Sequence, residues 1–253
     1  MSGTSAIGSA LLSGSRGSEF ESPVPDQDKM NLTKLRHHYF NTIPSLLIFF
    51  GFVVLVLAYA PLIKDEIWYQ LKQIKNQKYG LALEGGQKDS VFARFISTRP
   101  VSITPVNTDF SIVIEKIGVN APIIADVPVT DQAEYLEALK TGIAHASVSD
   151  YPSETPGNTY LFAHASVNFW QLGKYATVFN LLRKLDLGDR IHVFYESREF
   201  VYEVVNKETM PGWNTYPITR PVIEPTLTLQ TCDPPGTTLN RLVITAKLIE
   251  VKG

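Results

Sequence analysis

The chain has 253 residues, 44% of them hydrophobic and 19% charged, and a formal net charge of −2. That balance fits one ordinary domain or two small ones and excludes a disordered or wholly polar chain. It offers no basic excess to neutralise nucleic-acid phosphates, and a single cysteine, Cys232, excludes intramolecular disulfides and thiolate-cage metal sites.

Residues 1–28 are rich in Ser and Gly, end near Pro23 and Pro25, and show no periodicity. They read as a disordered head, within which Arg16-Gly-Ser-Glu-Phe20 has the look of a cloning-site scar. The head region extends to residue 42. From Ile43 to Ile63 the sequence IPSLLIFFGFVVLVLAYAPLI carries no charge. As a helix at 1.5 Å per residue it spans roughly 30 Å, the thickness of a bilayer core. This predicts one transmembrane helix. A buried core helix is the bland alternative, and Ala58-Tyr-Ala60 offers a small-x-small cleavage pattern, but the run is long for a signal peptide and starts late. Lysines and arginines flank the span on both sides, so charge alone does not orient it.

Residues 64–109 read as a juxtamembrane helix and linker. Ile67, Leu71 and Ile74 recur at helical spacing between Lys64 and Tyr79, and Gly80 is the expected residue just past the helix end. A membrane-surface stalk and a core helix both suit that pattern. Residues 84–109, with Pro100 and Pro105, have linker composition.

From Phe110 to the end the period changes to two. Strands are predicted over 111–117, 159–163, 190–195, 200–205, 226–231 and 241–249. Two helices interrupt them, one opened by the capping pattern Asp131-Gln-Ala-Glu134 and closed by Gly142, the other over Tyr175–Leu185. The fold class is therefore mainly β, a closed barrel or sandwich over 110–253 with two or three short helices.

Unpaired cysteines are usually buried and inert. Cys232, however, closes the alternating strand Leu227-Thr-Leu-Gln-Thr-Cys232 just before the turn Asp233-Pro-Pro-Gly236, a place where a thiol meets solvent. If the strand that begins at Arg241 pairs back as a hairpin, Arg241 returns beside Cys232.

These residues carry a resemblance. Thr226-Leu-Thr-Leu-Gln-Thr-Cys232 followed by Arg241-Leu-Val-Ile-Thr resembles the Thr-Leu-x-Thr-Cys…Arg signature of sortases, membrane-anchored cysteine transpeptidases of mainly Gram-positive bacteria. Upstream, Ile114–Ile123 is similar to the family's first strand pair, Pro156–His164 to the segment ending in its catalytic histidine, and Leu187-Gly-Asp-Arg-Ile191 to a Gly-Asp turn before a later strand. One departure is that Ala163 and Ala165 flank His164, where the family often has Gly and Arg. The resemblance implies a sortase-like closed β-barrel and a catalytic set of His164, Cys232 and Arg241; no cofactor is expected, and with no EF-hand pattern the scattered acids Glu115, Asp126 and Glu134 do not establish a metal site. It also implies cleavage of a Leu-Pro-x-Thr-Gly-like sorting signal on surface proteins through a thioester, and transfer to an amine of a cell-wall precursor. The head then lies in the cytoplasm and the barrel outside the cell, with membrane lipid around the span and no nucleic-acid partner.

The chemistry asked of the three residues is coherent without the family. A thiolate attacks a peptide carbonyl, an imidazole near its ordinary pKa protonates the leaving amine, and a guanidinium stays charged opposite a developing oxyanion. Among the other histidines, His37 and His38 read as polar flank of the span, His192 as a strand or barrel residue, and His145 as part of the site wall. The Pro-rich segment Lys207–Pro225 reads as a loop whose Trp213, Tyr216 and Ile218 line an apolar substrate pocket, with Thr231 shaping the site from the strand. A plain surface loop is the competing reading. No Asp-Pro-aromatic lid triplet, which marks the pilus-polymerising subclass, occurs between Lys64 and Phe110, so a housekeeping or general anchoring type is expected. The competing class is a non-catalytic, membrane-tethered barrel that binds a wall component or a protein partner, with Cys232 unreactive.

Overall fold

The computed structural model describes residues 27–82, 101–165 and 174–253. Contact density divides the chain into units at 1–51 and 52–253. Helix α1, Gln27–Ile74, contains the apolar run, and the side chains described between Ile43 and Ala60 are almost all exposed. The helix begins inside the segment read as a disordered head; the rest of that head, residues 1–26, lies outside the described residues, as does most of the 84–109 linker. The juxtamembrane helix is not separate but the last turns of α1. Nor does Gly80 cap it: Asn76 takes the left-handed conformation with φ 50°, and Gly80 pairs with Ser102 in a two-stranded sheet of β1 (Tyr79–Leu81) and β2 (Val101–Ile103).

The second unit is built on a closed barrel. Its strands are β3 (Phe110–Ile114), β4 (Val119–Val127), β5 (Ile143–Ala146), β6 (Gly157–Phe162), β7 (Arg190–Tyr195), β8 (Arg198–Pro211), β9 (Pro225–Asp233) and β10 (Asn240–Lys252). Their order around the barrel is β10-β8-β7-β3-β4-β5-β6-β9, closed by pairing of β9 with β10. Period-two alternation explains closure, because each strand turns one set of side chains inward. Ile112 and Ile114, Ala121 and Ile123, Leu227 and Leu229, and Ile244 and Ala246 are buried in the common core.

Pairs β4–β5 and β6–β9 are parallel, the others antiparallel. A parallel pair needs a crossover, and β4 and β5 have one in α2 (Gln132–Thr141). Asp131 caps α2, its Oδ1 accepting from the backbone N–H groups of Ala133 (3.0 Å) and Glu134 (3.1 Å). Gly142 ends it without the left-handed turn expected of it. Its backbone is extended, and glycine is needed because a Cβ there would sit 2.5 Å from the Pro122 carbonyl oxygen.

Two further expectations are corrected. Tyr175–Leu185 forms successive i→i+3 turns and a 3-10 turn at Leu182–Lys184, not an α-helix. Its Thr177 and Asn180 side chains are drawn to Asp65 of α1, whose carboxyl burial pushes above the usual range. The segment from Lys207 is not all loop, since β8 runs on to Pro211 against β10. A short helix α3 (Tyr216–Thr219) follows.

Candidate active site

Three neighbouring strands build the site. In the β9–β10 ladder Cys232 and Arg241 are direct partners, flanked by Thr231↔Leu242 and Gln230↔Val243. Alternation sends Leu227, Leu229 and Thr231 into the core and leaves Thr228, Gln230 and Cys232 on the outer face, which Arg241 and Thr245 share from β10. On the other side, parallel β6 keeps step with β9 up to Phe162↔Gln230, and the Ala163 N–H donates to the Gln230 carbonyl at 3.2 Å. Thr231 Oγ1 donates to the Ala163 carbonyl at 2.8 Å, pinning the strand end that carries His164. Two steps beyond the Phe162–Gln230 pair stand His164 and Cys232.

His164, Cys232 and Arg241 line one cavity of about 620 Å³, which α2 walls with Tyr135 and Leu136. The turn between β9 and β10 includes a cis Asp233–Pro234 peptide and Gly236 at φ 82°, and the Gly236 N–H donates to the Ala165 carbonyl at 2.7 Å. This bond ties the segment after His164 to the turn after Cys232.

Burial pushes the Cys232 thiol above its ordinary 9.0, with Arg241 pulling the other way, and pushes the His164 imidazole below its ordinary 6.5. Thiol and neutral imidazole are therefore the resting forms near neutral pH. His164 Nε2 is buried and has no hydrogen-bond partner among the described residues. Arg241 Nη1 donates to the carbonyls of Asn240 (3.1 Å) and Thr238 (3.3 Å), which holds the guanidinium at the mouth of the turn.

Of the expected substrate contacts, Thr231 and Ile218 line the cavity. Trp213, in the turn before α3, and Tyr216, the first residue of α3, lie outside the lining, Trp213 being 82% exposed. The lining also includes Tyr160 and Gln230, which the sequence reading did not single out although both fall on the alternating outer face.

A polar clamp went unread altogether. Arg220, just after α3, donates from Nη2 to Thr245 Oγ1 (2.8 Å) and Thr228 Oγ1 (3.0 Å). Thr228 Oγ1 donates to Asn158 Oδ1 (2.7 Å), and Asn158 Nδ2 donates to the Pro217 carbonyl of α3 (3.1 Å). The loop carrying Ile218 is thus hung on β6, β9 and β10 at once.

His145 does not form the site wall. It is fully buried away from the cavity lining, its Nε2 within 3.2 Å of the Asp150 carbonyl and its ring 4.6 Å from that of Tyr151. Burial lowers its pKa. His192 is a barrel residue, buried with Nδ1 2.7 Å from Glu199 Oε1. The side chains of His37 and His38 lie outside the described residues.

A sortase-domain family model matches residues 112–249. Similar solved structures include sortase C-1 from Actinomyces oris, at 25% identity, covering 57% of this chain and 76% of that one with a TM-score of 0.47. Sortase A from Listeria monocytogenes matches at 21% identity, 57% and 89% coverage and a TM-score of 0.46. Sortase E1 from Streptomyces coelicolor, solved with a tripeptide in its active site, matches at 20% identity, 58% and 90% coverage and a TM-score of 0.48. No curated protein sequence matches the chain.

Proposed function

The chain belongs to the sortase family, and from that premise we propose that it is a membrane-anchored cysteine transpeptidase in which Cys232, His164 and Arg241 act together on a Leu-Pro-x-Thr-Gly-like sorting signal. The observation that carries this reading is the direct Arg241↔Cys232 pairing, with His164 lining the same cavity.

The Cys232 thiolate attacks the Thr carbonyl carbon, forming a C–S bond and a tetrahedral oxyanion. The Arg241 guanidinium donates to that oxygen. Collapse breaks the Thr–Gly C–N bond as the His164 imidazolium gives its proton to the leaving amine, which leaves a thioester and a neutral imidazole. An amine, taken here as that of a cell-wall precursor, then attacks the thioester. His164 removes its proton, the C–S bond breaks, and the thiolate returns. The elevated thiol and depressed imidazole both favour the neutral pair, so the thiolate–imidazolium form is a minority reached by proton transfer from Cys232 to His164 before attack, and the proton returns to the thiolate once the cycle closes.

Within the family we place the chain with the housekeeping or general anchoring type, because the Asp-Pro-aromatic triplet is missing from residues 64–110 of its sequence. The apolar stretch of α1 is read as the single span, with the head cytoplasmic and the barrel outside the cell. Protease added to intact cells should then remove the barrel; a barrel digested only after lysis would reverse the orientation.

The decisive experiment incubates the full chain with sorting-signal peptides, with and without an added amine, and follows intact mass. A thioester adduct on the wild type, absent from Cys232→Ala, is the expected result. A peptide cleaved at the parental rate by Cys232→Ala would defeat the cysteine mechanism and favour the non-catalytic reading.

A further inference from the structure

A second cavity, of about 470 Å³, lies away from the catalytic residues, between the last turns of α1, β1, the 3-10 turn at Glu115–Ile117 and the Gly188–Arg190 approach to β7. Lys72, Lys78, Lys116 and Arg190 line it, against two carboxylates, Glu115 and Asp189. Both carboxylates are already engaged. Asp189 Oδ2 accepts from Lys116 Nζ at 2.7 Å and from the Asp186 backbone N–H at 2.5 Å, and Glu115 Oε1 accepts from the Leu81 N–H at 2.5 Å. Lys72, Lys78 and Arg190 make no ion pair within 4.0 Å among the described residues, although the Asp65 carboxylate on the same helix attracts Lys72 from farther off.

Lys72 is the unusual member. It is 5% exposed, its Nζ lies 3.7 Å from the Tyr79 ring centroid and 5.8 Å from that of Trp68, and burial pushes its ammonium down to about 8. Ring faces offset part of the cost of burying an ammonium, but a buried cation is satisfied in full only by an anion. The donors that line the cavity outside those ion pairs include the Lys72 and Lys78 ammoniums, the planar Arg190 guanidinium and the amides of Gln73 and Asn76, a set that suits a tetrahedral oxyanion. The position along α1 says where such an anion comes from. Tyr69, which lines the cavity, follows Ile63 by six residues, about 9 Å of helix. The polar layer of a bilayer is roughly 5–8 Å deep on each side, so the cavity opens at the outer edge of the headgroups.

We infer that this cavity binds the phosphate headgroup of an anionic membrane lipid and seats the barrel on the bilayer surface. The inference rests on the reading of α1 as a membrane span. It uses none of the catalytic residues.

The test is native mass spectrometry of the full chain in detergent, titrated with phosphatidylglycerol or with phosphatidylcholine. Lys78→Gln and Arg190→Gln change exposed side chains and leave the packing of Lys72 intact. We expect one tightly held phosphatidylglycerol, weakened about fivefold for each cation removed, and phosphatidylcholine binding that does not distinguish wild type from variants. Equal retention of the two lipids, or phosphatidylglycerol binding that survives the double variant, overturns the proposal. Inorganic phosphate forms a separate arm: a phosphate adduct lost in the double variant, with no preference for phosphatidylglycerol, overturns the lipid assignment in favour of a soluble anion. Alkaline extraction of membranes reports on the span independently, because a chain released by that wash is not integral whatever its lipid preference.

Discussion

Arg241 stands directly across the β9–β10 ladder from Cys232, so the guanidinium and the thiol leave the same face of adjacent strands. Cross-strand partners have Cβ atoms about 4.5–5.5 Å apart. Rigid strands, rather than the turn between them, set the separation of nucleophile and cation. Replacing Arg241 with Lys keeps the charge but not the planar fork. Loss of a directed oxyanion donor typically costs on the order of 10²–10³ in kcat, and the loss should fall on kcat more than on KM because the oxyanion exists only near the transition state. Steady-state kinetics on a cleavable peptide, with thermal unfolding as control, decide it. A variant within twofold of wild type in both constants would remove Arg241 from the catalytic set.

The pH dependence follows from two opposed shifts. In the proposed mechanism attack needs the thiolate and amine departure needs the imidazolium, yet burial raises the Cys232 pKa above 9.0 and lowers that of His164 below 6.5. Between those values the enzyme carries one proton on the pair, and only a constant minority has it on His164. The profile of kcat/KM should be flat across that window, falling below the His164 pKa as both groups become protonated and above the Cys232 pKa as both become deprotonated. Alkylation of Cys232, which needs only the thiolate, should instead keep rising with pH until it passes 9.0. Arg241→Gln removes the charge that favours the thiolate, so its alkylation midpoint should move upward. A midpoint below that of an ordinary cysteine would contradict the assignment.

Much of this was legible in the sequence. The six predicted strands fall mainly on observed strands because their β-branched and aromatic runs suit a pleated sheet, although most are buried on both faces over four or five residues. The first is the exception at its end, where Glu115–Ile117 becomes a 3-10 turn. Cys232 and Arg241 were brought together by the same logic, a strand, a turn and a strand. What escaped depends on contacts between elements. β5 has only four residues, Ile-Ala-His-Ala, too short and too poor in β-branched residues to stand out. Tyr175, Val178, Phe179 and Leu182 have helical spacing, but the segment is held in i→i+3 turns, with Thr177 and Asn180 engaged by α1. Asn158, Arg220, Thr228 and Thr245 look like ordinary strand and loop polar residues until three strands and a loop converge on them.

Gly142 tests the packing between α2 and the parallel β4–β5 pair. An added Cβ would meet the Pro122 carbonyl oxygen at 2.5 Å and Ile124 Cγ1 at 3.2 Å. The backbone there, at φ −173°, is open to any residue, so the cost of Gly142→Ala is steric. Forcing extra volume into such a contact typically costs about 1–3 kcal/mol. Denaturant unfolding should show that loss with an unchanged slope; a neutral or stabilising Gly142→Ala would mean that β4 gives way freely.

Arg220 separates positioning of the substrate from chemistry. Its guanidinium joins Thr228 and Thr245, and Asn158 links Thr228 to the Pro217 carbonyl, so the loop bearing Ile218 is fixed to the sheet face that carries Cys232. Arg220 does not line the catalytic cavity. Arg220→Met keeps most of the stem but removes every donor, which leaves Thr228 and Thr245 without it. Hydrogen bonds to a charged group contribute about 1.5–3 kcal/mol to stability, so the variant should unfold at lower denaturant. The more specific consequence is kinetic: with the groove wall released, KM for the sorting peptide should rise while kcat stays near wild type, because Cys232, His164 and Arg241 keep their places. Arg220→Lys still presents several donors and should recover part of the lost affinity. The alkylation rate of Cys232 should match wild type in both variants, a readout that general loosening of the fold would move. If Arg220→Met instead lowers kcat and speeds alkylation with KM unchanged, the clamp acts on the catalytic strands, and its role in holding the substrate loop is refuted.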